Sequence, residues 1–161
     1  ILGPQNDHFT EGALKQFFSQ AWTIGRQTDR MGMRLEGLAL THNQLGADII
    51  SDGVTPGSIQ VPANGQPIIL LADCQTSGGY PKIATVISAD LSKLAHKRPG
   101  EVLRFIAVSH EQAQEARQLK IESFRNWVNG LQRFLPPGSI DLNALYCTNL
   151  VSGVLSGAEE E

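Results

Sequence analysis

The sequence predicts a mainly β protein: a mostly antiparallel β-barrel with added helices, one of them a long C-terminal helix. Three observations carry this prediction. Short runs of β-branched and aliphatic residues recur as far as Val108. Turn signals separate the runs, among them Pro56-Gly57, Asn64-Gly65, Gly78-Gly79 and Pro99-Gly100. Long helical periodicity begins only after Ser109, so helices do not alternate with strands as a doubly wound parallel sheet requires.

The elements follow in order. Ile1-Leu2-Gly3-Pro4 reads as the end of a strand entering a turn. Thr10 is placed to cap a short helix with Leu14, Phe17 and Phe18 on one face. Trp22 to Gly25 is a short strand. In the stretch from Arg30 to Gly37, an extended backbone puts Arg30, Gly32 and Arg34 on one face and Met31, Met33 and Leu35 on the other. Leu38 to Leu45 is a connection, and Asp48 to Ser51 is a candidate strand. Val54-Thr55-Pro56-Gly57 is a turn, because proline presets φ and glycine supplies a positive one. Ser58 to Val61 is a strand, Asn64-Gly65 a hairpin signal, and Gln66 to Asp73 the main strand.

Gly78 to Pro81 turns the chain into a strand over Lys82 to Ile87. Ser88 to Lys97 is a short helix with Leu91, Leu94 and Ala95 inward, and Glu101 to Val108 is the last strand. Ser109-His110-Glu111-Gln112 fits a capping box. The helix it opens carries Ile121, Phe124, Val128, Leu131 and Leu135 at spacings of three and four, until Pro136-Pro137-Gly138 stops it. Asp141 to Leu155 is a second, shorter helix, and Glu159 to Glu161 an acidic, disordered tail.

The chain has 161 residues, 41% hydrophobic and 18% charged, which argues for one ordinary globular domain and against disorder. A net charge of −3 without a basic run argues against a nucleic-acid partner, and no apolar run is long enough to span a membrane. Cys74 and Cys147 lie far apart without a Cys-x-x-Cys pattern, which reads as two free thiols in a cytoplasmic protein. The four histidines show no ligand spacing, so no metal site is expected. Neither a phosphate loop, a Gly-x-Ser-x-Gly elbow nor a biotin attachment tetrapeptide occurs.

Chemistry concentrates at the end of the main strand. Asp73 is a candidate acid or base, or a turn-capping carboxylate. Gln75 and Thr76 are candidate donors to a carbonyl or oxyanion. Gly78 and Gly79 let backbone N–H groups converge on an anion, or simply form a tight turn. Tyr80 offers a phenol, and Lys82 an ammonium two residues on. Arg30 and Arg34 beside Gly32 make a basic notch suited to a carboxylate or phosphate, since a guanidinium binds oxyanions in a fork. The alternative is that both pair with structural carboxylates such as Asp29 or Glu36.

Several of these stretches occur together in one family. Arg30 through Gly37, Gln60-Val61-Pro62, Gly65-Gln66-Pro67 and Asp73 through Pro81 resemble the carboxyltransferase subdomain family. That family is also described as allophanate hydrolase subunit 2-like, urea amidolyase-related, or the C subunit of 5-oxoprolinase. The resemblance runs in register from about Ile1 to about Ala116. It implies a cyclophilin-like β-barrel lobe over residues 1–115, specifically the C-terminal one of two; the helical extension at 116–158, read as packing or interface helices, and the tail at 159–161 lie outside the resemblance. It also implies partners: an N-terminal lobe of the same protein and a second subunit of similar fold. Three functions are implied. The first is transfer of a carboxyl group from carboxybiotin, carried on a partner, to a urea- or amide-type substrate. The second is ATP-dependent opening of 5-oxoproline to glutamate. The third is a non-enzymatic regulatory module of the kinase-inhibitor antagonist type.

For the enzymatic readings, Asp73 and Tyr80 are the expected catalytic residues. Arg30, Arg34, Gln60, Gln75, Thr76, Gly78, Gly79 and Lys82 are expected at the substrate. Biotin or ATP is the expected cofactor. One departure is Cys74, where the family often places a basic residue between the aspartate and the glutamine.

Overall fold

Burial alternates along Trp22–Ile24 and Gly32–Glu36, whereas Ser58–Gln60 is buried throughout. In the computed structural model, residues 1–131, 140 and 142–147 are described. Six strands form one antiparallel sheet: β1 (Trp22–Ile24), β2 (Gly32–Glu36), β4 (Ser58–Gln60), β5 (Ile68–Leu70), β7 (Lys82–Thr85) and β8 (Val102–Leu103), in the order β7-β4-β5-β2-β1-β8. Two further short strands, β3 (Asp52–Gly53) and β6 (Ser77–Gly78), pair as a separate antiparallel ribbon. Ile1–Gly3 lies along the outer edge of β7, through the Leu2–Ala84 bridge and the Gly3 N–H bond to Ile83. The architecture is the predicted mainly antiparallel one, and among the described residues β7 and β8 are its two end strands, not bonded to each other.

The helices are α1 (Glu11–Ser19), α2 (Leu91–Leu94), the long α3 (His110–Asn129) and α4 (Leu142–Cys147). Thr10 caps α1 by accepting the Ala13 N–H at 3.1 Å. Ser109 and Gln112 form the predicted capping box at the start of α3: Ser109 Oγ accepts from the Gln112 N–H, and Gln112 Oε1 accepts from the Ser109 N–H. Lys120 ties α3 to the α2 region by donating to the Ala89 carbonyl and Ser92 Oγ. The chain divides into two units, Ile1–Ser123 and Phe124–Glu161.

The core lies between one face of the sheet and α1. Phe17 of α1 is fully buried against Trp22 and stacks on Phe105 at 4.5 Å, and the Trp22 indole donates to the Phe17 carbonyl. Met33, Ile69 and Ile59 stand opposite one another across three strands and are all buried. Burial of each such side chain contributes about 1.5–3 kcal/mol.

The opposite face of the same strands carries Arg34, Ile68, Gln60 and Lys82 in one lateral row. A bulge creates the end of that row. Ile59 pairs with Ala84, yet Gln60 pairs with Lys82, so Ile83 is the extra residue. Such an insertion re-aims the next side chain, here turning Lys82 onto the Gln60 face.

Several boundaries differ from those the sequence predicts. Asp48 to Ser51 is not a strand: pairing starts at Asp52 opposite Gly78, and Ile50 is almost fully exposed. The main strand is confined to Ile68–Leu70, although the Leu71 and Asp73 N–H groups still reach the Met31 and Arg30 carbonyls. Met31 precedes β2 and is exposed, unlike Met33 and Leu35. The helix after Ser88 shrinks to Leu91–Leu94, which leaves Ala95 outside it and exposed. The last strand is only Val102–Leu103.

The Asn64-Gly65 signal does mark a connection between paired strands, but by another turn. Gly65 alone has positive φ, and its N–H closes on the Pro62 carbonyl, so glycine ends the turn. The apolar positions Phe124, Val128 and Leu131 are exposed. α3 ends at Asn129, ahead of the predicted proline stop. Leu135, that stop, the far end of the second helix and the acidic tail lie outside the described residues.

Candidate functional site

The polar row opens onto a pocket of about 250 Å³. Four of the predicted site residues meet there: Arg34, Gln60, Gln75 and Tyr80. Gly32, Ile68 and Leu70 form its floor. A Cβ added at Gly32 would sit 3.1 Å from the Ile68 side chain, so glycine keeps the floor open. The expected notch therefore exists, but with one guanidinium rather than two.

The two arginines part because only Arg34 lies in the strand. Arg30 sits at the end of the β1–β2 loop and forks onto Asp73, with Nε to Oδ2 at 2.8 Å and Nη2 to Oδ1 at 3.3 Å. This pair removes both Arg30 and Asp73 from the pocket lining. Arg34 makes no ion pair among the described residues. It also borders a neighbouring pocket of about 450 Å³ that contains Arg26, Glu36 and Gln66.

Gln60 is buried, 2% exposed, and its Nε2 donates to the Tyr80 carbonyl at 3.2 Å. Gly78 rests directly on this amide: an added Cβ would stand 2.5 Å from Nε2. Gly78 and Gly79 thus act differently from expectation. Gly78 belongs to β6, and neither glycine has positive φ, so the pair does not form an anion nest. The Gly79 carbonyl accepts from Ile49, and the Thr76 carbonyl accepts from Val54. These bonds hold the ribbon that presents Gln75 and Tyr80.

Lys82 also departs from its expected role at the substrate. Its Nζ is buried and donates to Asp52 Oδ2 at 2.6 Å and to the Gly53 carbonyl at 2.7 Å. Gln5 joins the cluster by donating to Asp52 and accepting from the Lys82 N–H. The hydrogen bond from Lys82, then the Gly53 N–H and the Gln5 amide, hold the Asp52 carboxyl below the usual carboxylate range. Lys82 is therefore a tether that fastens the β3–β6 ribbon to β7.

Sequence reasoning missed Gln27 and Asp29 on the pocket rim, and Arg26 beside Arg34. Asp29 Oδ1 accepts the N–H groups of Met31 and Gly32 and so shapes the loop. The dense polar run from Arg26 to Arg30, bounded by two strands, was the available signal. Cys74, the departure from the family pattern, is a half-buried free thiol outside the pocket lining.

Residues 1–107 match the family described as carboxyltransferase domain, subdomain A and B. The chain belongs to this family.

Among curated members, the C subunit of 5-oxoprolinase from Escherichia coli is 41% identical over 118 residues, 73% of this chain and 38% of that protein. The corresponding 5-oxoprolinase protein of Haemophilus influenzae is 50% identical over 97 residues, 60% of this chain and 31% of that protein. The chain thus spans about a third of the length of these two curated relatives. Kluyveromyces lactis urea carboxylase shares the fold, with a TM-score of 0.74 and 24% identity over 84% of this chain and 13% of that one.

Proposed function

We propose that this chain supplies part of the substrate site of a 5-oxoprolinase, within its C subunit, with Arg34 holding the carboxylate of 5-oxoproline. The observation that carries this reading is a guanidinium without an ion-pair partner among the described residues, facing the same pocket as an amide and a phenol. A guanidinium fork matches a carboxylate, and the Gln75 amide and Tyr80 hydroxyl are donors for the lactam carbonyl. Tyr80, partly exposed, is the group placed to pass a proton as the ring opens. The identity to two 5-oxoprolinase subunits supports the same choice.

ATP does not fit this pocket. The volume is small, one guanidinium lines it, and the glycine pair offers no cradle for a triphosphate. Nucleotide binding is assigned to a partner subunit of similar fold, and the N-terminal lobe of the same protein completes the site. The complex is cytoplasmic in this reading, and the isolated chain is inactive.

The test follows ADP release on addition of 5-oxoproline to the full-length protein with its partner subunits, with avidin present to block biotin. Release that depends on 5-oxoproline is expected. Its absence would overturn the reading and favour carboxyl transfer, which the family's description supports. In that second reading Gln75 and Tyr80 face the ureido oxygen of carboxybiotin, and Arg34 holds the carboxyl group in transit.

A further inference from the structure

Among the polar residues that line the pocket, Gln60 alone is buried. Its amide is oriented by the bond from Nε2 to the Tyr80 carbonyl, which leaves Oε1 as the opposite end. No donor among the described residues reaches Oε1. Yet no buried side-chain oxygen among them is left without a partner, so Oε1 is open to the pocket. Gly78 lies beside the oxygen: an added Cβ there would stand 3.3 Å from it. The site therefore presents one fixed acceptor with nothing to accept.

Its position relative to Arg34 follows from the register. Arg34 pairs with Ile68, and Ile68 with Gln60, so the two polar residues flank one strand on a common face. Neighbouring strands lie about 4.8 Å apart, which puts their backbones about 10 Å from each other. Arg34, Ile68 and Gln60 line the same pocket. The complementary ligand is small, with a carboxylate for Arg34, an apolar edge for Ile68 and an N–H for Gln60.

We infer that Gln60 Oε1 accepts the ring N–H of a small carboxylate-bearing lactam and thereby selects it over its ring-oxygen isostere. This rests on the function proposed above and assigns the residue that reads the N–H. In the isostere, an oxygen lone pair would face Oε1, leaving both without a donor.

The experiment is calorimetric titration of the full-length protein with its partner subunits, using 5-oxoproline and then 5-oxotetrahydrofuran-2-carboxylate. The lactone should bind about 10- to 100-fold more weakly. Gln60→Met should shrink that ratio to within about threefold, mainly by weakening the lactam. Gly78→Ala, which keeps Gln60 but displaces its amide, should do the same and serves if the first variant does not fold. Equal binding of lactam and lactone by the unaltered protein, or an unchanged ratio in the variants, would overturn the inference alone. Binding of neither compound would overturn the proposed function with it.

Discussion

Alanine at position 78 probes how the ribbon and the sheet hold the pocket together. Gly78 lies in β6 with φ outside the left-handed region, so the backbone accepts alanine and the effect comes from the added methyl. That methyl would stand 2.5 Å from Gln60 Nε2, where ordinary contact begins at 3.4 Å. The amide cannot swing away freely, because Gln60 is buried and bonded to Tyr80. A retreat of about 1 Å is needed, enough to break a bond of 3.2 Å. Overpacking costs about 1–3 kcal/mol. The lost hydrogen bond costs about 1 kcal/mol. Reduced freedom of the unfolded chain offsets about 0.4–1 kcal/mol. The net loss is about 1–3 kcal/mol, a fall in Tm of about 3–10 °C. Differential scanning calorimetry reads this directly, and titration with 5-oxoproline reads the accompanying loss of affinity. A variant with unaltered Tm and unaltered affinity would refute the claim that Gly78 and Gln60 are in obligatory contact.

Three further outcomes follow from the same geometry. Arg34→Gln should weaken 5-oxoproline binding by about 10- to 100-fold, whereas Arg30→Gln, already committed to Asp73, should change it by less than about threefold; equal effects would contradict the separation of the two arginines. The folded Asp52 carboxyl titrates below its ordinary value of 3.8, so its contribution to stability is complete above that value and disappears as pH falls through the lowered one. The difference in Tm between the unaltered protein and Asp52→Asn should accordingly be present at pH 6 and shrink below about pH 4, and a difference independent of pH would contradict the Lys82 pairing. Thr10→Ala removes the bond to the Ala13 N–H and should cost about 1 kcal/mol, measurable as a small shift in urea midpoint.

Local rules placed much of this protein correctly. Thr10 and Ser109 start helices because their side chains satisfy orphan N–H groups, a contact only three residues long. The two-residue period of strands put Met33 and Leu35 inside and Arg34 outside, which set the arginine on the face that carries the pocket. Features fixed by long-range pairing were not legible. Nothing near Lys82 in the sequence announces Asp52, thirty residues earlier, or the bulge at Ile83 that turns the lysine toward it. Arg30 and Asp73 are separated by forty-three residues, so the sequence offered Asp29 or Glu36 as the arginine's structural partner and did not announce Asp73. The glycine pair read as an anion nest or a tight turn, because glycine permits positive φ. Strand pairing with Asp52 used Gly78 instead for close approach to Gln60.

The most direct test of the central claim is a crystal structure of the full-length protein with its partner subunits and 5-oxoproline. The account predicts the ligand over Ile68, its carboxylate forked onto Arg34 and its ring nitrogen within hydrogen-bond distance of Gln60 Oε1. A ligand bound elsewhere, with Arg34 and Gln60 facing only solvent, would contradict it.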